Sequence, residues 1–140
     1  MPDRISQCPP MDEISLLDAN AAYYRAFAAR DLGGLNELWA EEGVSCAHPG
    51  WPALVGRMPV LASYRDIFRN PAQEAVTTRD PQTLIEGAEG RVFCIEEVGG
   101  GLLLATNWFR WNGERWRLVH HQASPLAPPP TRREGKRSLH

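Results

Sequence analysis

The chain has 140 residues, 43% hydrophobic and 23% charged, with a formal net charge of −2, the profile of one globular domain. Residues 126–140 hold four of the 15 basic residues and one of the 17 acidic ones, so the remaining body stands at −5 and offers no basic face to nucleic acid. No apolar run reaches the roughly 20 residues of a membrane span, and the N-terminal MPDRISQCPP lacks the apolar core of a signal peptide. Cys8, Cys46 and Cys94 are odd in number and show no metal-type spacing, so free thiols and a cytoplasmic location are expected.

Residues 1–11, with Pro2, Pro9 and Pro10, read as a loose lead-in. From Asp12, the residues Ile14, Leu17, Ala21, Tyr24, Phe27 and Ala28 recur at three- and four-residue steps, which predicts a long helix with that set as its apolar stripe. Asp12 and Glu13 suit the positive end of its dipole. Asp31 caps a second, shorter helix that buries Leu35, Leu38 and Trp39. A short strand over 44–47 runs into His48-Pro49-Gly50-Trp51-Pro52. Two prolines there fix φ and a glycine allows the bend, so His48 and Trp51 are held in place. The third helix opens at Gly56-Arg57-Met58-Pro59, carries Leu61, Tyr64, Ile67 and Phe68 on one side, and stops at Asn70-Pro71.

Strands follow over 74–85 and 91–98, then a hairpin over 102–124 around Asn112-Gly113, a turn pair tolerant of positive φ. Along its second arm Trp116, Leu118, His120, Gln122 and Ser124 share one face; Arg117, Val119, His121 and Ala123 share the other. The first set is apolar near the turn and polar beyond it, as in a strand that seals a core at one end and lines a cavity at the other. A two-residue turn would place Phe109 and Asn107 beside that set, and a three-residue loop Trp108 and Thr106; both registers stay open. Residues 126–140, opening on Pro128-Pro129-Pro130, form a Pro-rich basic tail. The element order predicts an α+β fold over 12–125. Three N-terminal helices pack in a strongly curved, mainly antiparallel sheet, a cone-shaped barrel around a pocket.

The order of these elements, together with Cys46-Ala47-His48-Pro49-Gly50-Trp51-Pro52, the Gly56-Arg57 helix start and the run from Trp116 to Ser124, resembles the SnoaL-like branch of the nuclear-transport-factor-two-like superfamily. The resemblance covers residues 12–125. It implies a curved sheet cupping a pocket and a homodimer formed through the sheets. It admits several activities: polyketide cyclases, a ketosteroid isomerase, scytalone dehydratase and limonene epoxide hydrolase are enzymes. The similar calcium/calmodulin-dependent kinase association domain is an oligomerisation module. Many members of the branch carry a histidine where this chain has Gln122.

His48 and His120 are the candidate acid–base residues, because an unperturbed imidazole titrates near neutral pH. His121 lies on the opposite strand face from His120, so at most one of the two points inward, and His120 is expected to do so. Trp51, Tyr64, Asn107, Trp108 and Gln122 are the candidate ligand contacts. Glu74, Glu86, Glu96 and Glu97 are the carboxylates on or near strands; adjacent Glu96 and Glu97 face opposite ways, so one of them could point inward, but solvated faces account for them better. No metal-ligand cluster, phosphate loop or dinucleotide fingerprint is present, so no cofactor is expected. Two functions remain: a pocket protein acting on a small, mostly apolar molecule by isomerisation, cyclisation, dehydration or hydrolysis, or a non-catalytic dimerisation or association module.

Overall fold

A capping box launches the first helix, α1 (Glu13–Ala28). The Asp12 carboxylate accepts from the Ser15 N–H at 2.9 Å, while Ser15 Oγ accepts from the Asp12 N–H at 3.2 Å. The structure, a computed structural model, describes residues 9–127, so the expectations for 1–8 and 128–140 lie outside it. The buried face of α1 is Leu16, Asn20, Tyr23 and Ala26, whereas Ile14 is 71% exposed. The predicted stripe is therefore rotated by about one residue. Ser15 and Asn20 sit on the buried face because each finds a partner there: Trp116 Nε1 donates to Ser15 Oγ at 2.9 Å and Asn107 Nδ2 to Asn20 Oδ1 at 2.8 Å. Hydropathy alone counts both as outward.

The chain continues through α2 (Leu32–Leu38), β1 (Ser45–Ala47), β2 (Leu54–Val55), α3 (Arg57–Arg69), β3 (Val76–Glu86), β4 (Glu89–Val98), β5 (Gly101–Trp111) and β6 (Trp116–Pro125). Asp31 caps α2 by accepting from the Gly34 N–H at 3.0 Å. Between β4 and β5, Gly99 and Gly100 both take positive φ, the demand of a primed two-residue turn. The fold is α+β: three helices against an open, six-stranded mixed sheet in the order β2-β1-β6-β5-β4-β3, with only β1 and β6 parallel. One face is covered by the helices, and α1 touches β3, β4 and β6 on that side.

At the turn end of β5 and β6, Leu16, Leu35, Trp39, Phe109, Trp116 and Leu118 form a closed apolar core. Gly90 belongs to it, since a Cβ there would meet Trp116 at 2.9 Å and Leu16 at 3.0 Å.

The β5–β6 hairpin departs from both expected registers. Trp111 pairs with Trp116 around four loop residues, and Asn112 Oδ1 accepts from the Glu114 and Arg115 N–H groups, each at 2.9 Å. Farther along, Phe109 pairs with Leu118 and Trp108 with His120, which leaves Val119 as an extra, bulged residue. The bulge shifts the alternation by one place. Trp116 and Leu118 face the helices before it; His121 and Ala123 face them after it. The expectation that His120 points inward is corrected: His120 and Gln122 lie on the open face, and His121 takes the inward position. Trp108 is also on the open face, where its indole N–H donates to Glu89 at 2.8 Å and Arg91 lies 4.1 Å over its ring.

Candidate functional site

Beyond the closed core the helix-covered face opens into a cavity of about 340 Å³. Its walls come from α1, the β1–β2 loop, α3 and the strands β3 to β6. Tyr23, Tyr24, Phe27 and Trp51 supply aromatic surface, while His48, Glu96 and His121 supply groups that exchange protons.

His48 is positioned by its loop. The Trp51 N–H donates to the His48 carbonyl at 2.9 Å and Gly50 takes φ 80°, which closes the turn. The ring stands edge-on to Trp51 at 5.0 Å and to Tyr64 at 4.9 Å. Ser63 donates its hydroxyl proton to the Val60 carbonyl at 2.6 Å, so His48 Nε2–H is the donor in the 2.8 Å contact with Ser63 Oγ. The proton-free nitrogen of His48 is therefore Nδ1. Burial lowers the His48 pKa to about 4, so the ring is neutral near pH 7.

His121 is fixed from the other side. Its Nδ1 lies 2.6 Å from Asn107 Oδ1, an atom that only accepts, so Nδ1 carries the proton and Nε2 the lone pair. Asn107 Nδ2 donates to Asn20 Oδ1 at 2.8 Å and to the Tyr24 hydroxyl at 3.0 Å, and Tyr24 donates to Glu96 Oε2 at 2.7 Å. Every donor in this chain points from His121 toward Glu96. Burial, with the neighbouring His48 and His120 adding to it, lowers the His121 pKa to about 3. The rings of His48 and His121 lie 6.2 Å apart.

Glu96 is 5% exposed and burial raises its carboxyl pKa, with the Tyr24 hydrogen bond opposing. Expected on a solvated face, it stands on the cavity wall instead. β4 alternates Val92, Cys94, Glu96 and Val98 toward the helices and Phe93, Ile95 and Glu97 away. Both faces are largely apolar, so strand periodicity could not tell which glutamate turns in. The missed signal was Asn20 and Tyr24 four residues apart on α1, polar groups that need partners on the facing strands.

Of the sequence-derived candidates, His48 and Trp51 line the cavity. Tyr64 and Asn107 are fully buried behind its wall, where Tyr64 shares a 2.7 Å hydrogen bond with Tyr23. His120, Trp108 and Gln122 lie apart on the open face, where Ser45 Oγ meets His120 Nδ1 at 2.7 Å. Cys46 sits beneath His48 with its thiol pKa pushed up to about 12 by burial, so it stays protonated. Among the described residues no three His, Cys, Asp or Glu side chains converge as a metal site, and no helix is long and apolar enough to cross a membrane.

Three helices against an open, six-stranded mixed sheet agree with the fold of the proteins this chain is similar to. A family model described as "SnoaL-like domain" matches residues 16–128, and the chain belongs to that family. An NTF2-like protein of Streptomyces avermitilis, named as a candidate dehydratase, is 33% identical with TM-score 0.71, covering 81% of this chain and 95% of its own. A Thiobacillus denitrificans protein, named as a candidate calcium/calmodulin-dependent protein kinase type II association domain, is 31% identical with TM-score 0.68, covering 78% and 93%. The Arabidopsis thaliana F-box protein SKIP8 is 25% identical over 80% of this chain, which spans about half the length of that relative.

Proposed function

We propose that the cavity binds a small, mostly apolar molecule and moves protons on it, with dehydration or isomerisation as the reaction type. One observation carries the reading: Glu96, an inward carboxyl, shares a 340 Å³ cavity with two neutral imidazoles whose protonated nitrogens are already engaged. His121 Nε2 accepts a proton from the bound molecule and, as the imidazolium, returns it at a neighbouring atom, with the Glu96 carboxyl beside the reacting groups. His48 is the second acceptor at the mouth. Asn107 holds the His121 ring and its tautomer. The Streptomyces relative named as a candidate dehydratase supports this reaction class. The buried, unoxidised thiols of Cys46 and Cys94 suit a cytoplasmic setting.

The test is solvent-deuterium incorporation, or water loss, in a panel of β-hydroxy ketones followed by NMR, alongside native mass spectrometry of fresh protein to find any co-purified molecule. Wild type should act on at least one compound about 100-fold faster than His121→Ala, the lower end for a lost general base. Compounds that bind without exchanging would remove catalysis and leave a binding pocket.

A second reading, an association module, is favoured by the Thiobacillus relative and by the open sheet face. Phe93, Ile95, Leu102 and Leu104 lie there, and Leu104 is 43% exposed. Pairing of two copies through this face is compatible with a working cavity on the other. A protein that is dimeric, empty in every preparation and inert toward the panel would select the module.

A further inference from the structure

The buried proton-exchanging groups on the cavity wall, His48, Glu96 and His121, present acceptors, while exposed Asn70 and half-buried Gln73 add amide groups. His48 Nδ1 and His121 Nε2 carry lone pairs, because Ser63 and Asn107 engage the opposite nitrogens. The Tyr24 hydroxyl spends its proton on Glu96 Oε2, while Glu96 Oε1 makes no hydrogen bond among the described residues. Exposed Asp66 adds a second carboxylate at the rim. No lysine or arginine lines the space, and Glu96 has no ion-pair partner among the described residues.

Each class of ligand meets this lining differently. A carboxylate or phosphate would lose its hydration beside two carboxyls with no cation to replace it. A neutral alcohol would satisfy a lone pair but bring no positive charge to offset the burial that disfavours an ionised Glu96. An ammonium group offers several donors and one positive charge, and the faces of Tyr23, Tyr24, Phe27 and Trp51 attract cations as well as apolar bodies. We infer that the cavity takes a small organic cation, a protonated amine on an apolar or aromatic frame. Its ammonium lies against Glu96 and its body among the aromatic rings. This names the ligand class for the pocket reading above and rests on it. The His121 lone pair remains free to act on a carbon or hydroxyl beside the amine.

The experiment is isothermal titration calorimetry on the full 140-residue chain at pH 7.5 with matched series. These are benzylamine, benzyl alcohol and benzoate; the cyclohexylmethyl equivalents; and butylamine, butanol and butyrate. In at least one series the amine should bind tenfold or more tighter than the alcohol, with no measurable carboxylate binding. Glu96→Gln, with its fold checked by circular dichroism, should bring the amine down to the affinity of its alcohol. An alcohol equal to its amine, a carboxylate that competes with either, or a preference surviving in Glu96→Gln overturns the inference while the pocket stands. Silence in all three series overturns both.

Discussion

The two ends of one sheet face are built from the same strands and behave as different materials. Near the β5–β6 turn, Phe109, Trp116 and Leu118 meet Leu16, Leu35 and Trp39 in a closed apolar pack. A few residues farther along the same strands, Asn107 and His121 meet Asn20, Tyr24 and Glu96 in a chain of directed hydrogen bonds beside open space. The first end gains stability from area removed from water. The second holds ionisable groups away from water in their uncharged forms, which costs stability and creates reactivity. Apolar packing at one end makes the strained electrostatics at the other tolerable.

The sharpest way to break this contrast is at the closed end. Phe109 is fully buried, and Phe109→Ala should cost about 4 kcal/mol in urea unfolding while leaving the pKa values of His48 and His121 where they are. Loss of the histidine behaviour in a still-folded Phe109→Ala would mean the two ends are one unit.

The second test is pH. The folded-state pKa of His48 is about 4 against 6.5 for the free group, and that of His121 is lowered too. Between those values the unfolded chain binds protons that the folded chain refuses. The histidine contribution is therefore complete above about pH 6.5 and is lost as pH drops toward 4, by about 3 kcal/mol from His48. Urea midpoints that stay flat over this range would show the imidazoles to be open to water.

The smallest effect has the opposite sign. A raised carboxyl pKa makes Glu96 costly once pH rises through its folded value, so Glu96→Gln should be more stable than wild type at pH 8 by about 1 kcal/mol. As pH falls toward 4 and the carboxyl takes up its proton in both states, the difference should shrink in thermal melts.

Much of this was legible in the residues. The capping aspartates, the rigid His48–Trp51 loop and the glycine turns mark element ends by local chemistry, and local chemistry is what a sequence displays. The family resemblance was likewise carried by short segments, and the matching family model bears it out. The face of α1 was misread because Ser15 and Asn20 are buried by partners more than 80 residues away. Glu96 was misread because both faces of β4 are apolar. Period-two reasoning selects His120 over His121 because it assumes an unbroken ladder, and a bulge is a property of two strands together.

That bulge has a consequence for how such proteins diverge. Val119 is an ordinary aliphatic residue that touches none of the proton-exchanging groups by hydrogen bond, yet its standing outside the ladder decides which neighbour reaches the cavity. Drawing it into the ladder opposite Trp108 would slide the far part of β6 by one place, turning His120 and Gln122 inward and His121 out to the solvent side. The interior would exchange its wiring while no functional residue changed identity. In this fold gaining or losing a single bulge is a route to new chemistry, and residue-by-residue alignment of relatives will pair inward histidines with outward ones wherever the bulge differs.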